Sequence, residues 1–427
     1  MKLAERVSRT LAGLTALMAL SLVQGANAQG GSVANLVSPA DLALILPADA
    51  APQASVRAAE SLAPLSPIFD ASWYDTLRRA FGSTAVGDAL DLENSFGDWR
   101  LVSLRVAPCS PFGVSLALDP DQWCWPELRL VWQPVQRGVY INGRVNRYFA
   151  DDRAVHALYD IDASTVLPSA EAAEASALLA KLKAHATGGG STPSSSELAR
   201  FAVLRDAVAR AYLRETLALR DPSLPASDFS SIVPRPEYGQ GRNDAPARAF
   251  RARLVSFLSK HAPTRRLKEL TAFSLPEGRQ PPLLDEWVFL QFEGIAGRIV
   301  QRNIELRSSR DGRLLFDFGP VHVGSQRRDD PLLQTALDNG SIPPADRAEI
   351  EESVLLLAGD ARSKGTRVAD RRRTLVPNTS CASCHKLNGD PFDFHNLSYL
   401  DDRDMAVTPR VARDVELDLA WIRARGL

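Results

Sequence analysis

RLVSLRV, residues 100–106, alternates in character: Val102, Leu104 and Val106 fall on one side, Ser103 and Arg105 on the other. A period of two is that of a β-strand with one buried face. ELRLVW, residues 127–132, repeats the pattern, with Leu128, Leu130 and Trp132 sharing a face. VYINGRVNRYF, residues 139–149, carries Asn142-Gly143, a pair suited to the positive φ angles of a tight hairpin. These stretches predict antiparallel sheet from Trp99 to about residue 162.

Working outward, the period changes. SWYDTLRRAF (72–81) places Trp73, Leu77 and Phe81 four apart, which predicts a helix. Two helical runs follow the strands, about 168–186 and 196–219, separated by TGGGSTPSSS (187–196), a flexible linker by composition. In the second run Phe201, Leu204, Val208 and Tyr212 form a stripe that reads as core. ARAFRARLVSFLSKHA (247–262) predicts another helix. Strand patterns return in WVFLQFEG (287–294), where Val288, Leu290 and Phe292 alternate. RNIELRSSRDGRLLFDFG (302–319) reads as a hairpin turning at Asp311-Gly312, with Leu314, Phe316 and Phe318 on one face. From Pro344 the pattern is helical again, with Ile350, Val354 and Leu357 on one side. Near the end, Thr408 stands as a helix cap before Pro409, and Val411, Val415, Leu419 and Ile422 form a stripe.

The 427 residues are 45% hydrophobic with a formal net charge of −1, so sizeable cores are expected and nucleic acid is not an expected partner. Lys2, Arg6 and Arg9 precede the apolar LAGLTALMALSLV (11–23), and Ala26-Asn27-Ala28 follows with small residues where a signal peptidase reads. Residues 1–28 are therefore expected to be a cleaved secretory signal, with the mature chain exported or periplasmic, soluble and without a membrane anchor. Cys109 and Cys124 are expected to form a structural disulfide in that oxidising compartment.

The chemistry gathers late, in NTSCASCHKLNGDPFDFHNLSYLDDRDM, residues 378–405. Cys381-Ala-Ser-Cys384-His385 is a C-x-x-C-H motif. Two thiols at this spacing add to the two vinyl groups of haem, and the adjacent imidazole reaches the iron. A thioredoxin-like redox pair would need a βαβ setting that the sequence around it lacks. A zinc site would need two further well-placed ligands.

From about residue 341 to 427, a helix, CASCH, a loop and the C-terminal helix PRVARDVELDLAWIRARG resemble the c-type cytochromes. The resemblance implies one covalent haem c, with Cys381 and Cys384 as its thioethers and His385 as the proximal ligand. It also implies that the helix before the motif packs on the last helix over the haem edge. Only 42 residues follow His385, a short tail for such a domain. The expected fold class is α+β: a β-rich region over 29–340, with a helical insert at about 168–220, and a small all-α cytochrome c-like domain over 341–427.

The sixth iron position is open among several groups. His395 follows His385 by ten residues, within an extended reach of about 33 Å. Met405 follows by twenty, and a thioether ligand suits electron transfer. His322 from the β region, or no protein ligand, are the other options. His156, His185 and His261 are expected at the surface or at helix ends. Arg371, Arg372 and Arg373 either pair with haem propionates, dock an acidic redox partner or form a solvated loop. The expected function is electron transfer to a redox protein partner, with the β-rich region docking it. The alternatives are a peroxidase-like haem enzyme or a gas or ligand sensor with an open distal site, and a binding module in which the haem is secondary.

Overall fold

The computed structural model describes residues 32–47, 54–58, 68–82, 99–137, 140–141, 144–145, 148–150, 154–239, 244–274, 286–325, 330–353, 361–386, 397–398 and 406–427. Among the described residues the strands, in chain order, are β1 Ala43–Ile45, β2 Trp99–Pro111, β3 Cys124–Arg137, β4 Tyr140–Ile141, β5 Arg144–Val145, β6 Tyr148–Ala150, β7 Ala154–Asp160, β8 Glu269–Ser274, β9 Glu286–Ile295, β10 Arg298–Arg302, β11 Ile304–Arg307, β12 Leu314–Gly319, β13 Val321–Ser325, β14 Leu397–Ser398 and β15 Ala406–Val407. The α-helices are α1 Pro39–Leu42, α2 Ala71–Gly82, α3 Ser169–Ala186, α4 Ser195–Leu217, α5 Ala245–His261, α6 Pro331–Asp338, α7 Pro344–Ser353, α8 Ala361–Ala369, α9 Cys381–Lys386 and α10 Pro409–Ala424.

Nine strands form one sheet in the order β1-β2-β3-β7-β8-β9-β10. In it β6 pairs with the far end of β3, and β13 shares with β10 the outer edge of β9. Every pairing is antiparallel. The strands β7 and β8 are neighbours although the helices α3, α4 and α5 lie between them in sequence. The expected α+β class is therefore what the chain adopts.

Register sorts the side chains into two faces. One face carries Leu104, Val106, Leu128, Leu130, Trp132, Val155, Ala157, Tyr159, Leu270, Ala272, Val288, Leu290 and Phe292, all buried. It packs on the helical insert, with Phe201, Leu204, Val208 and Tyr212 of α4 and Phe250, Leu254 and Leu258 of α5 in the same core. Trp73, Leu77 and Phe81 of α2 join it. Removing these side chains from water drives the assembly, at about 1.5–3 kcal/mol for each fully buried large apolar residue.

The other face was expected to meet water at Ser103 and Arg105, but both are buried. The same face bears Arg129, Gln133, His156, Phe273, Phe289 and His322. Over part of it Ala154, Phe273 and Phe289 form a second apolar cluster with Leu333 and Leu337 of α6, Ile350 of α7 and Ala382 of α9. The C-terminal helix α10 packs against both β2 and α8. Asp418 of α10 is buried against Arg105 of β2 and lies 2.6 Å from Nη1 of Arg371. Val415, Leu419, Trp421 and Ile422 enter the large core itself, and the Leu427 carbonyl accepts the Ala34 amide at 2.8 Å. The chain's last helix is thus continuous with the sheet's own packing.

Local expectations resolve residue by residue. Ser194 and Glu197 cap α4 reciprocally, Ser194 Oγ accepting from the Glu197 amide and Glu197 accepting from the Ser194 amide. The Thr408 side chain accepts the Val411 amide at the start of α10. The hairpin β4–β5 pairs Tyr140 with Val145 and Ile141 with Arg144, leaving two residues for the turn; Asn142 and Gly143 themselves lie outside the described residues. The turn between β11 and β12 has Gly312 at φ 74°, but Leu315 and Phe318 are the buried residues and Leu314 is exposed. Two register shifts in this pair leave Leu315 and Phe318 as the extra residues on β12, which breaks the strict alternation there. Of the helix expected from Pro344, Ile350 is buried, whereas Val354 and Leu357 lie outside the described residues, as do residues 1–28. No described helix is long and apolar enough to cross a membrane.

Candidate functional site

The C-x-x-C-H motif forms a helix of its own, α9. Ser380 starts it: its carbonyl accepts the Cys384 amide at 2.9 Å and its hydroxyl accepts the Ser383 amide at 3.1 Å. On a helix, positions i, i+3 and i+4 share a side. Cys381, Cys384 and His385 accordingly stand together and half-buried, while Ala382 and Ser383 are fully buried. Neither cysteine is in a disulfide.

A glycine makes this seating possible. The helix rests on β13, where a methyl group added to Gly324 would come within 2.3 Å of the Ala382 Cβ. Only a residue without a side chain lets the helix lie so close.

Beneath the helix is an aromatic floor. The His385 ring centre lies 5.3 Å from that of Phe273 and 5.3 Å from that of Phe289, at interplanar angles of 62° and 51°. The two phenyl rings are themselves 6.0 Å apart and sit opposite one another on β8 and β9. Two more imidazoles approach the same pair. His156 of β7 meets Phe273 edge-on at 5.5 Å, and His322 of β13 lies 5.6 Å from Phe289 and stacks on Phe318 at 4.2 Å.

Burial pushes the Cys384 thiol above its ordinary value; Arg410 opposes the shift, Asp414 adds to it and Arg129 opposes it. A thiol held in its protonated form is the reverse of the activated thiolate of a redox-active C-x-x-C pair.

The other expected residues fall as follows. Cys109 and Cys124 are joined in a disulfide with an S–S distance of 2.00 Å. His395 and Met405 lie outside the described residues. Next to them the short ladder β14–β15 pairs Leu397 with Val407 and Ser398 with Ala406, and β14 lies beside β2. Arg371 is buried and so is not part of a solvated run, whereas Arg372 is exposed. Arg371 is buried against Asp418, and Arg372 Nη2 is 2.6 Å from Asp121 Oδ2, so both tie the segment before the motif to the rest of the chain. Arg373 is exposed. His261 ends α5 as expected but is buried, 2.7 Å from Glu215 Oε2, and His185 in the last turn of α3 lies 5.6 Å from Trp123. His156 was expected at the surface or at a helix end and is instead buried on a central strand.

Sequence reading missed Phe273, Phe289 and Gly324. Phe289 occupies the alternate positions of WVFLQFEG that were not assigned a face, and that alternation was the available signal. Among the described residues no group of three or more His, Cys, Asp or Glu side chains is arranged to hold a metal ion.

The donor set nonetheless suits covalent haem. Two thiols and an imidazole share one side of a helix, apolar rings lie beneath the imidazole, and the positive charges of Arg410 and Arg129 reach the second thiol. No protein-family model matches the chain, and neither a curated protein nor a solved structure matches it.

Proposed function

We propose that this chain is an exported single-haem c-type cytochrome that transfers electrons to a redox protein partner. The observation that carries the reading is the presentation of Cys381, Cys384 and His385 together on α9, neither thiol in a disulfide, while the intervening Ala382 and Ser383 are buried. Cys381 and Cys384 would hold the haem through thioethers and His385 would ligate the iron. The bound group supplies a one-electron couple between ferric and ferrous iron. The protein contributes an apolar surround at Phe273 and Phe289 and the nearby cations Arg129 and Arg410, whose charge complements the haem carboxylates. The disulfide supports an oxidising compartment, which is where such attachment is expected.

The test is expression alongside a cytochrome c maturation system. The chain should retain haem after denaturation and solvent extraction, whereas the double variant Cys381→Ala/Cys384→Ala should release all of it. A wild-type chain that carries no covalent haem under these conditions refutes the proposal. A high-spin spectrum that shifts on adding carbon monoxide would move the function from electron transfer to the alternatives with an open distal site.

A further inference from the structure

We infer that Phe273 and Phe289 form a clamp that fixes the plane of the His385 imidazole, and so act as positioning residues for the proximal ligand. The inference rests on the haem reading above. Its support is geometric. Both rings contact the imidazole at the same 5.3 Å centre-to-centre distance, and each meets it at a steep angle, 62° and 51°. The Phe273 contact is edge-to-face, a favoured geometry of aromatic pairs, and the Phe289 contact is tilted, so rotation of the imidazole would disturb both. The clamp is rigid because it is built on paired strands: Phe273 and Phe289 are register partners on β8 and β9, and both are buried. Strand β9 is held on its other side by β13, where His322 is the register partner of Phe289. Ala382 seats α9 against Gly324 two residues further along β13, which sets the height of His385 above the rings.

The same geometry bears on the sixth ligand. Two imidazoles bound to opposite faces of one haem have ring centres about 6 Å apart, since each metal–nitrogen bond is about 2 Å. A phenyl ring within van der Waals reach of both would occupy the plane of the haem itself. Phe273 touches His385 and His156, and Phe289 touches His385 and His322. With both rings in place, neither His156 nor His322 would be free to ligate the iron together with His385.

The experiment uses the haem-loaded full chain and three variants, Phe273→Leu, Phe289→Leu and Phe292→Leu. Phe292 lies three residues beyond Phe289 on the same strand, on the opposite face and in the other core, so it controls for lost packing. In Phe273→Leu and Phe289→Leu the g-values of the low-spin ferric spectrum should shift and the reduction potential should fall. The expected fall is that of about a tenfold change in the ferric-to-ferrous ratio, or 59 mV for one electron. Phe292→Leu should lose stability with the spectrum and potential unchanged. Unchanged g-values and potential in both clamp variants would overturn the inference, as would an equal shift in the control. Should a leucine variant fail to fold, the methionine variant at that position preserves more of the volume and is measured in its place. His156→Ala and His322→Ala should keep the wild-type axial coordination, and loss of the low-spin signal in either would also overturn it. Absence of covalent haem from the wild-type chain is a different result, because it removes the haem reading itself.

Discussion

Replacing Gly324 by alanine should push the motif helix off the sheet. The new methyl group would stand 2.3 Å from the Cβ of Ala382 and 3.5 Å from its Cα. Carbon atoms in contact settle at about 3.5–4.0 Å, so α9 has to retreat by roughly 1.2 Å or more. Little else can give, because Ala382 is fully buried and Gly324 is held in register with Trp287. Overpacking of this kind costs about 1–3 kcal/mol. The gain from a less flexible unfolded chain, about 0.4–1 kcal/mol, offsets part of it. The expected net loss is therefore on the order of 1–2 kcal/mol in chemical denaturation, by the balance of those two effects. Because Cys381, Cys384 and His385 ride on the same short helix, covalent haem loading should fall as well. The decisive measurement is a double-mutant cycle. Ala382→Gly removes the opposing methyl group and by itself costs about 1 kcal/mol of helix propensity. If the contact is the cause, Gly324→Ala adds little further loss in the Ala382→Gly background, and the coupling energy is of order 1 kcal/mol or more. Additive losses, or a Gly324→Ala chain as stable and as fully loaded as the wild type, would refute the reasoning.

Two further perturbations test how the chain's end and the helical insert are held. Asp418 is fully buried between Arg105 and Arg371, themselves buried, so Asp418→Asn should destabilise the chain by about 3–5 kcal/mol in denaturant titration, and a loss below about 1 kcal/mol would show that the ion cluster does not anchor α10. Burial pushes the Asp160 carboxyl up, but Lys268 and Lys183 outweigh it and leave it below the ordinary value. Its stabilisation is therefore complete above the unfolded-state value of about 3.9 and is lost as pH falls through the lower folded value. Asp160→Asn should be less stable than the wild type at pH 7, and the gap should narrow as pH falls below the unfolded-state value; a gap that is constant with pH would sink this assignment.

Much of the local structure was legible because its cause is local. The alternation in RLVSLRV and ELRLVW places Leu104, Val106, Leu128, Leu130 and Trp132 on one apolar face, and they do share it, although a bulge between Leu101 and Ser103 puts Leu101 rather than Val102 opposite Trp132. The stripe Phe201–Leu204–Val208–Tyr212, the cap at Thr408 and the disulfide partners likewise follow from spacing and residue type. The motif announced its own helix face, since i, i+3 and i+4 meet on any helix. The second face of the sheet was not legible. Ser103 and Arg105 look the same in sequence whether water or another layer covers them. The covering layer, α10 with its Asp418, comes more than 300 residues later.

Alternation along the strands and the grouping of two thiols and an imidazole are written in the sequence alone. Each of these depends on neighbours within a few residues. Only the tertiary structure decided what surrounds that group: phenyl rings from β8 and β9, a glycine on β13 and a C-terminal helix keyed into β2 by a buried carboxylate. These partners are brought together by strand pairing and burial over long separations, and a periodic pattern carries no record of which distant segment will cover it.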